Sequence, residues 1–394
     1  MNPRLASLQA YPFERLRDLL AGVSAPPQPV VDFSIGEPRR PAPGLVVESI
    51  IEHLHGLAAY PKVMGSEELR QSIVAWAERR FALPTGFLDP EQNVLPANGS
   101  REALFSVAQA LVDSSTGKDL ILLPNPFYQI YEGAALLAGA TPYYLNCTAS
   151  GQPDYRAIPA DIWQRCALMY VNSPHNPTGA ALSAADWDFL VAQARRYAFV
   201  LAADECYSEI YFDVPPAGVL SAAARSGSLA QVLAFHSLSK RSSIPGARSG
   251  FIAGDAALLS PFRLFRTYLG NAMPPFIQAA SAAAWSDEQH VALMRADYAD
   301  KFALAAEILG DLVTVERPAG GFYLWLAVGD GEAFTRNLFA QQAVRCLPGA
   351  YLARPAHGSY PGRDRVRIAL VGEQEICREG LLRIRQFLLS SPIN

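Results

Sequence analysis

Short apolar runs alternate with amphipathic segments through the middle of the chain. Each run ends in a polar turn, and residues with apolar side chains at helical spacing follow it. Runs that are apolar throughout predict strands buried on both faces, and their alternation with helices predicts a mainly parallel sheet with helices on both faces. The clearest runs are residues 120–123, 167–171, 199–203 and 232–235.

The pattern differs at the two ends of the chain, where strands are shorter and further apart. An amphipathic helix predicted at 12–22 is followed by several prolines and a brief strand. We therefore predict an α/β protein in three parts. Residues 1–44 form an N-terminal segment that packs with the small domain, 45–275 form a large α/β domain, and 276–394 form a small C-terminal α+β domain.

Polar side chains follow the apolar runs, at the point where each predicted strand ends. Tyr128, Asn176 and Asp204 lie in three such turns. Ligands bind at the carboxyl ends of strands in open parallel sheets, so we expect these turns to converge on one site. Asp204 closes a very apolar strand, where an unpaired carboxylate would be costly and its pKa would rise. A capping aspartate, a turn-forming Asn-Pro-Thr-Gly and a core tyrosine are the structural alternatives.

The turn after the fourth run contains a lysine and an arginine. Lys240 stands among small hydroxylated residues, Pro245-Gly246 turns the chain back, and Arg248 can then point its guanidinium at the same place. A lysine that forms a Schiff base, together with cations that hold a phosphate, is what a pyridoxal phosphate site requires. The turn at Gly99-Ser100 opens a helix whose free N–H groups would also suit an anion. A solvated surface lysine and an ordinary helix start are the alternatives.

The composition argues against several classes of function. Half of the residues are hydrophobic and the net charge is −4, which argues against a nucleic-acid-binding surface. The five cysteines are scattered and lack CxxC spacing, so they indicate free thiols in a reducing compartment rather than disulfides or a metal site. The first residues lack the apolar core of a signal peptide, and no run approaches membrane-spanning length. We expect a cytoplasmic protein with no metal and no membrane partner.

Taken together, the motifs resemble the class I/II aminotransferases, which are pyridoxal-phosphate enzymes of fold type I. The resemblance extends over nearly the whole chain, and the joint order and spacing of the motifs is highly specific. The motifs that carry it are Gly36-Glu37-Pro38, Tyr60 with Gly65, Asn98-Gly99-Ser100, Tyr128, Asn176-Pro177-Thr178-Gly179, Asp204 with Tyr207, Ser237 to Lys240, Arg248, Gly320-Gly321 and Arg367.

The resemblance implies pyridoxal 5′-phosphate as cofactor, with Lys240 forming the Schiff base and moving the proton between the substrate and the cofactor. Asp204 would pair with the pyridine nitrogen, and Asn176 and Tyr207 would hold the ring oxygen. Tyr128 would stack on the ring. These assignments make Lys240, Asp204 and Tyr207 the expected catalytic residues.

The same resemblance implies a phosphate site, a substrate site and a homodimer. The phosphate would be held by residues of two turns, Gly99, Ser100, Arg101, Ser237 and Arg248. Tyr60 would reach across the dimer interface to the partner's phosphate, so the active sites would be shared. Gly36, Arg367 and Asn176 would bind the substrate, with Arg367 on its α-carboxylate. The expected partners are small amino acids and 2-oxo acids.

Within the family, the loop sequences at residues 124–134, 237–251 and 272–278 are most similar to those of the proteobacterial transaminases that act on succinylated diaminopimelate in lysine biosynthesis. Arg39-Arg40 replaces the acidic or apolar residue that many relatives have after Gly-Glu-Pro. We expect one of these cations to meet a distal carboxylate of the substrate, with a solvated loop as the alternative. An aspartate-type or LL-diaminopimelate aminotransferase, a β-lyase and, more remotely, a non-catalytic pyridoxal-phosphate-binding regulator are the other functions considered.

Overall fold

The computed structural model describes residues 1–391, in which helices and strands alternate along most of the chain. The α-helices are α1 Pro12–Leu19, α2 Gly44–Glu52, α3 Glu67–Phe81, α4 Ser100–Leu111, α5 Gln129–Leu137, α6 Ala160–Arg165, α7 Ala184–Tyr197, α8 Val219–Arg225, α9 Leu238–Arg241, α10 Ala256–Leu269, α11 Pro275–Ser286, α12 Gln289–Leu309, α13 Gly331–Gln342 and α14 Gln374–Ser390. The strands are β1 Val31–Asp32, β2 Val94–Ala97, β3 Leu120–Asn125, β4 Thr141–Asn146, β5 Cys166–Asn172, β6 Val200–Asp204, β7 Val232–Ser237, β8 Gly250–Gly254, β9 Tyr323–Ala327, β10 Val344–Arg345, β11 Leu347–Pro348 and β12 Arg365–Ala369. Short 3₁₀ turns lie at Pro3–Ser7, Leu54–Ala58, Ser114–Thr116, Tyr155–Ala157, Pro245–Ala247 and Gly349–Leu352.

A seven-stranded sheet in the order β2-β8-β7-β6-β5-β3-β4 forms the centre of the molecule. The pairs β3/β4, β3/β5, β5/β6 and β6/β7 are parallel, whereas β8 runs antiparallel to both β2 and β7. Two buried clusters of apolar side chains cover the sheet, one containing Trp76 and Trp187 and the other Tyr131 and Tyr170. The predicted mainly parallel sheet with helices on both faces is confirmed, with β8 as the antiparallel member.

All four apolar runs form strands of this sheet, namely β3, β5, β6 and β7, and every residue of these strands except Ala167 is buried. The turn with the lysine differs from a simple strand end. Strand β7 stops at Ser237, whose side-chain oxygen accepts a hydrogen bond from the N–H of Ser239 at 3.1 Å. This cap starts the single-turn helix α9, and Lys240 therefore projects from a helix just past the strand.

A smaller sheet and a separate core lie beyond the large sheet. Strands β11, β12 and β9 pair antiparallel, and helices α12, α13 and α14 belong to the same apolar cluster. Strand β1 from the N-terminal segment pairs in parallel with β10, with Val31 opposite Val344, and Phe33 is buried in this second core. The N-terminal segment thus packs with the C-terminal elements.

Helix α11 packs with the large sheet rather than with the small one. Its buried side chains, among them Ile277 and Trp285, belong to the same core cluster as Trp76 of α3. Packing of the large domain therefore continues to Ser286, past the predicted boundary at residue 275. Helix α12 follows α11 after two residues and belongs to the second core.

Candidate active site

A cleft with a volume of about 800 Å³ opens at the carboxyl ends of the parallel strands, where the two sheets and the N-terminal segment meet. It brings together residues that are far apart in sequence. Of the residues predicted for the site, the cleft is lined by Gly36, Ser100, Arg101, Tyr128, Asn176, Asp204, Tyr207, Ser237, Lys240, Arg248 and Arg367.

The side chain of Lys240 lines the cleft and connects helix α9 with the N-terminal segment. Its Nζ donates a hydrogen bond of 2.5 Å to the carbonyl oxygen of Gly36 in the N-terminal segment. The amine also lies 5.3 Å from the ring centre of Phe322 and 5.9 Å from that of Tyr207. Burial among these groups lowers the pKa of Lys240 to about 8. A larger fraction of the amine is therefore neutral near physiological pH, which a nucleophile requires.

Asp204 is a buried carboxylate at the end of β6, with 4% of its surface exposed. Its Oδ2 accepts a hydrogen bond of 2.5 Å from the hydroxyl of Tyr131, and its Oδ1 accepts the backbone N–H of Cys206 at 3.2 Å. Burial raises the pKa of Asp204, and the hydrogen bonds from Cys206 and Tyr131 oppose that shift. Because a buried charge is costly unless it is paired, this carboxylate is expected to bind a cation or a protonated nitrogen.

Arg367 on β12 is a buried cation that lines the cleft. Its Nη1 donates to Oδ1 of Asn176 at 3.0 Å, and its Nη2 donates to the carbonyl of Ser34 at 2.8 Å. Its guanidinium also lies 4.4 Å from the ring centre of Tyr323. The Nε of Arg367 is buried and has no hydrogen-bond partner within residues 1–391. A buried donor left unpaired in this way indicates a ligand with an acceptor group.

Tyr207 and Tyr323 form a pair of phenols at the centre of the cleft. Their hydroxyl oxygens are 2.9 Å apart, and both side chains are buried. Burial raises the pKa of Tyr207 well above its ordinary value, so its hydroxyl remains a donor. Gly36 allows this arrangement, because a Cβ at that position would overlap the hydroxyl of Tyr323.

Small polar groups and one arginine, Arg248, form a further part of the cleft lining. Gly99 has a φ of 80° and caps helix α4, which leaves the first N–H groups of the helix free near Ser100. A Cβ at Gly99 would collide with the guanidinium of Arg248. Arg248 itself adopts a left-handed conformation with a φ of 50° and donates from Nη1 to the carbonyl of Pro245 at 3.0 Å. Free N–H groups, the hydroxyl of Ser237 and a guanidinium together suit a phosphate.

Arg101 is the fourth cation of the cleft and lies near its mouth. Its Nε donates to the hydroxyl of Tyr128 at 2.6 Å, and its Nη2 lies 3.5 Å from the hydroxyl of Tyr11. The hydroxyls of Tyr11 and Tyr128 therefore hold the side chain of Arg101 in place. The guanidinium is exposed and remains open to a ligand that enters the cleft.

Four predicted site residues do not line the cleft. Gly99 lies directly behind its wall, against the guanidinium of Arg248, and Tyr60 is fully exposed at the surface of the chain. Arg40 forms an ion pair with Asp297 of α12 at 3.1 Å, and with Arg39 it lines a separate small pocket. The carboxylate of Asp297 draws the Arg39-Arg40 segment toward α12, so the structure does not bring these two arginines over the site.

Sequence reasoning missed three tyrosines at the site, Tyr11, Tyr131 and Tyr323. Tyr131 lies about one helical turn after Tyr128, a spacing that brings the two side chains together and could have indicated it. Tyr323 follows the Gly320-Gly321 motif after one residue. Tyr11 immediately precedes α1, and Leu16 of that helix packs with Leu347 and Tyr351, so the position of Tyr11 depends on contacts between residues far apart in the sequence.

The residues of the cleft fit pyridoxal 5′-phosphate. The donor set matches each part of the molecule: an amine with a lowered pKa, a buried carboxylate for a protonated ring nitrogen, a phenol for the ring oxygen, and an anion site of free N–H groups with a guanidinium. Fold and site together define a pyridoxal-phosphate-dependent enzyme of fold type I.

Comparison with known proteins gives the family. Residues 28–384 match the family model "Aminotransferase class I and II", and the chain belongs to this family. It is a pyridoxal-phosphate-dependent aminotransferase. When bound, the cofactor supplies an electron sink for negative charge at the α-carbon of an amino acid.

Similar proteins cover almost the whole chain. A solved aminotransferase from Neisseria meningitidis is 45% identical, covers 98% of this chain and 100% of its own, and superposes with a TM-score of 0.94. An LL-diaminopimelate aminotransferase from Desulforudis audaxviator is 31% identical over 97% of this chain and 96% of its own length. A probable N-succinyldiaminopimelate aminotransferase from Thermus thermophilus is 25% identical, covers 95% of this chain and 99% of its own, and has a TM-score of 0.83.

Two kinds of feature were not found in residues 1–391. No helix in this range is long and apolar enough to span a membrane. Over the same residues, no group of three or more His, Cys, Asp and Glu side chains is arranged to hold a metal ion.

Proposed function

We propose that this aminotransferase moves an amino group between N-succinyl-LL-2,6-diaminopimelate and the 2-oxoglutarate/glutamate pair, in the biosynthesis of diaminopimelate and lysine. The loop sequences support this substrate, as does the similarity to the probable N-succinyldiaminopimelate aminotransferase from Thermus thermophilus. The LL-diaminopimelate aminotransferases among the relatives are named for the same carbon skeleton without the succinyl group.

The observation that carries the choice of an acidic substrate is the fourth cation of the cleft, Arg101, which the family resemblance assigned to the phosphate and which we assign instead to the substrate. The other three cations each have a proposed use: Lys240 for the cofactor's aldehyde, Arg248 for its phosphate, and Arg367 for the α-carboxylate of the substrate. The succinylated substrate, glutamate and 2-oxoglutarate all carry a further carboxylate. A guanidinium fixed by Tyr11 and Tyr128 at the mouth of the cleft is suited to bind that distal carboxylate.

In the proposed chemistry, the residues of the chain hold the substrate and move its protons. Arg367 and Asn176 bind the α-carboxylate, and Arg367 uses its unpaired Nε in addition to its existing hydrogen bonds. Lys240 would act as the general base that takes the proton from the α-carbon of the substrate. Asp204 would hold the protonated ring nitrogen of the cofactor, and Tyr207 would donate to its ring oxygen.

Rapid mixing tests the substrate directly. The purified holoenzyme is mixed separately with N-succinyl-LL-diaminopimelate, LL-diaminopimelate, glutamate and aspartate, and the absorbance of the bound cofactor is followed. We expect fast changes with the succinylated compound and glutamate and slow ones with aspartate. A fast change with LL-diaminopimelate and almost none with its succinylated form would replace the proposed substrate by LL-diaminopimelate. Release of ammonia and pyruvate would indicate a β-lyase.

Two variants test which cation meets the distal carboxylate. Arg101→Ala is expected to raise the KM for the succinylated substrate by about tenfold or more, since a charged hydrogen-bonding partner is lost. The double variant Arg39→Ala/Arg40→Ala is the matched control, because it removes two cations that line the separate pocket. If the double variant raises KM while Arg101→Ala does not, the sequence-based hypothesis for Arg39 and Arg40 holds and the role of Arg101 is withdrawn.

We further propose a cytoplasmic homodimer whose active sites are shared. Tyr60 is fully exposed, and Leu57 and Ile51, which precede it by three and nine positions in the sequence, are 71% and 63% exposed. Large apolar side chains this exposed in one region are typical of a surface that is covered by a partner. In the dimer, Tyr60 would reach the phosphate held by the partner. All five cysteines are free, which fits a reducing compartment.

A further inference from the structure

We propose that Tyr131, which does not line the cleft, is a positioning residue that keeps the ring nitrogen of the cofactor protonated by holding Asp204 in place. The inference rests on the proposed pairing of Asp204 with that nitrogen. It requires no assumption about which amino acid the enzyme uses.

The contact between Tyr131 and Asp204 is short and excluded from water. The hydroxyl of Tyr131 donates to Oδ2 of Asp204 at 2.5 Å, and 0% and 4% of the two side chains are exposed. Tyr131 and Cys206 are the two residues that donate to this carboxylate within residues 1–391, and the backbone N–H of Cys206 binds the other oxygen, Oδ1. Loss of the phenol would therefore remove the hydroxyl donor from Oδ2.

The hydroxyl favours the charged form of the carboxylate. Burial raises the pKa of Asp204 and so favours the neutral acid, whereas the bond from Tyr131 lowers that pKa. Burial also raises the pKa of Tyr131 well above its ordinary value, so the phenol remains protonated and acts as a donor. A carboxylate that is kept ionised can hold a protonated nitrogen, whereas a neutral acid would share its proton and leave the ring uncharged.

Neighbouring rings fix the orientation of the phenol. The ring of Tyr131 stacks on that of Tyr170, with centres 4.6 Å apart and planes 12° from parallel. Tyr128, which lines the cleft, meets the same ring edge-on at 5.8 Å. The hydroxyl of Tyr170 is bonded elsewhere, to the carbonyl of Leu104 at 2.6 Å. In this stack, the hydroxyl of Tyr131 therefore contacts a residue of the site, Asp204, whereas the hydroxyl of Tyr170 contacts only the core.

This pair provides a matched control. Tyr131→Phe and Tyr170→Phe each remove one buried hydroxyl from the same stack, but only the first removes a donor to Asp204. A purely structural role for Tyr131 predicts similar effects from the two substitutions. A role in holding the ionised carboxylate predicts an effect from Tyr131→Phe alone.

The test measures the ring nitrogen itself. Holoenzyme is reconstituted with pyridoxal 5′-phosphate labelled with nitrogen-15, and the chemical shift of the ring nitrogen reports whether it carries a proton. In Tyr131→Phe we expect the shift to move toward the unprotonated value, and in Tyr170→Phe we expect the wild-type value. An unchanged shift in Tyr131→Phe, or equal changes in both variants, would overturn the inference.

A cofactor analogue adds a second readout, the dissociation constant. We expect Tyr131→Phe to weaken the binding of pyridoxal phosphate by about tenfold, as for a lost hydrogen bond to a charged group. With a deaza analogue, in which a C–H group replaces the ring nitrogen, wild type and variant should bind alike. A tenfold loss that persists with the analogue would show that the phenol acts on folding rather than through the nitrogen.

The stability of each apoenzyme is measured alongside. Should Tyr131→Phe not fold, Tyr131→His takes its place, because imidazole can donate to the same carboxylate oxygen and is expected to keep the nitrogen protonated. An unprotonated nitrogen in a folded Tyr131→His variant would contradict the inference. None of these measurements uses a substrate, so failure of the proposed substrate would leave their outcome unaffected.

Discussion

At the scale of single residues, the environment of Lys240 sets the pH at which the apoenzyme can take up its cofactor. Burial lowers the pKa of this amine to about 8, so its reactive neutral form increases as the pH rises through that value and is nearly complete about two units above it. We expect the rate of cofactor incorporation, followed by absorbance, to rise with a midpoint near pH 8. A midpoint near the ordinary lysine value would contradict the proposed effect of burial. Lys240→Ala should lower turnover by at least about a thousandfold.

Gly36 permits a second prediction at this scale. Gly36→Ala would push a Cβ into the hydroxyl of Tyr323 and displace the carbonyl that Lys240 contacts. We expect kcat/KM to fall by about tenfold or more, because the lysine and the phenol would both move. Gly246 is the matched control, since it also lines the cleft but a Cβ added there would meet no heavy atom within 4 Å. Equal losses in Gly36→Ala and Gly246→Ala would show that the crowding at Gly36 is not the cause.

At the scale of elements, a buried ion pair holds helix α4 and the phosphate end of the cleft. Arg266 of α10 is fully buried and donates to Glu102 of α4 at 2.6 Å and to the carbonyl of Pro96 at 2.7 Å. Glu102 in turn accepts the backbone N–H of Asn98 at 3.1 Å. The pair therefore connects α10 to the turn that precedes the free N–H groups of α4.

Breaking this pair should be costly. Arg266→Ala leaves Glu102 without its cation and is expected to lower the free energy of unfolding by about 3 to 5 kcal/mol. Arg225→Ala removes the exposed pair with Asp188 and should cost less than about 1 kcal/mol. Urea unfolding of the apoenzymes measures both values. Comparable losses in the two variants would contradict the role given to burial.

The elements were predictable where the pattern of apolar residues is local. The runs in β3, β5, β6 and β7 are buried along nearly their whole length, so their sequence alone indicates strands. Strand β4 was not predicted, because its residues are mostly half-buried and include Pro142 and two tyrosines. Strand β8 begins in a turn rich in serine and glycine, and only its pairing with β2 and β7 makes it part of the sheet.

The site was predictable where a side chain has a motif of its own. Lys240, Asp204, Asn176 and Arg367 lie in recognisable turns or strands, and all four line the cleft. Tyr131 has no such motif, because its role depends on the ring that stacks on it and on the carboxylate at the end of a different strand. We expected Arg39 or Arg40 to meet the substrate, but Arg40 forms an ion pair with Asp297 instead. Asp297 lies far along the chain, so the local sequence does not indicate this pair.

At the scale of the whole molecule, the exposed apolar residues around Tyr60 predict how the dimer would form. Leu57 is 71% exposed, and the nearby residues Lys62 to Met64 share a cavity with α10, whose Leu264 and Tyr268 are also exposed. Leu57→Asp places a charge in this region and should shift the sedimentation coefficient to that of a monomer. Cofactor affinity should fall with it, since Tyr60 would no longer reach a partner.

Leu389 provides the control for this prediction. It is 60% exposed on α14, a helix that packs in the second core. Leu389→Asp should leave both the sedimentation coefficient and the cofactor affinity unchanged. If Leu389→Asp formed monomers and Leu57→Asp did not, the dimer interface would lie at α14 and not near Tyr60.

The hydrogen bond between Arg367 and the carbonyl of Ser34 has a consequence for folding while the chain is being synthesised. The two residues are 333 positions apart, so at translation rates of about 5 to 20 residues per second the N-terminal segment waits roughly 15 to 70 s for its partner. During that time the large sheet can fold while one wall of the cleft is still missing. The proposed site for the α-carboxylate of the substrate can therefore be complete only after residue 367 has left the ribosome, whereas all the proposed ligands of the cofactor are made earlier.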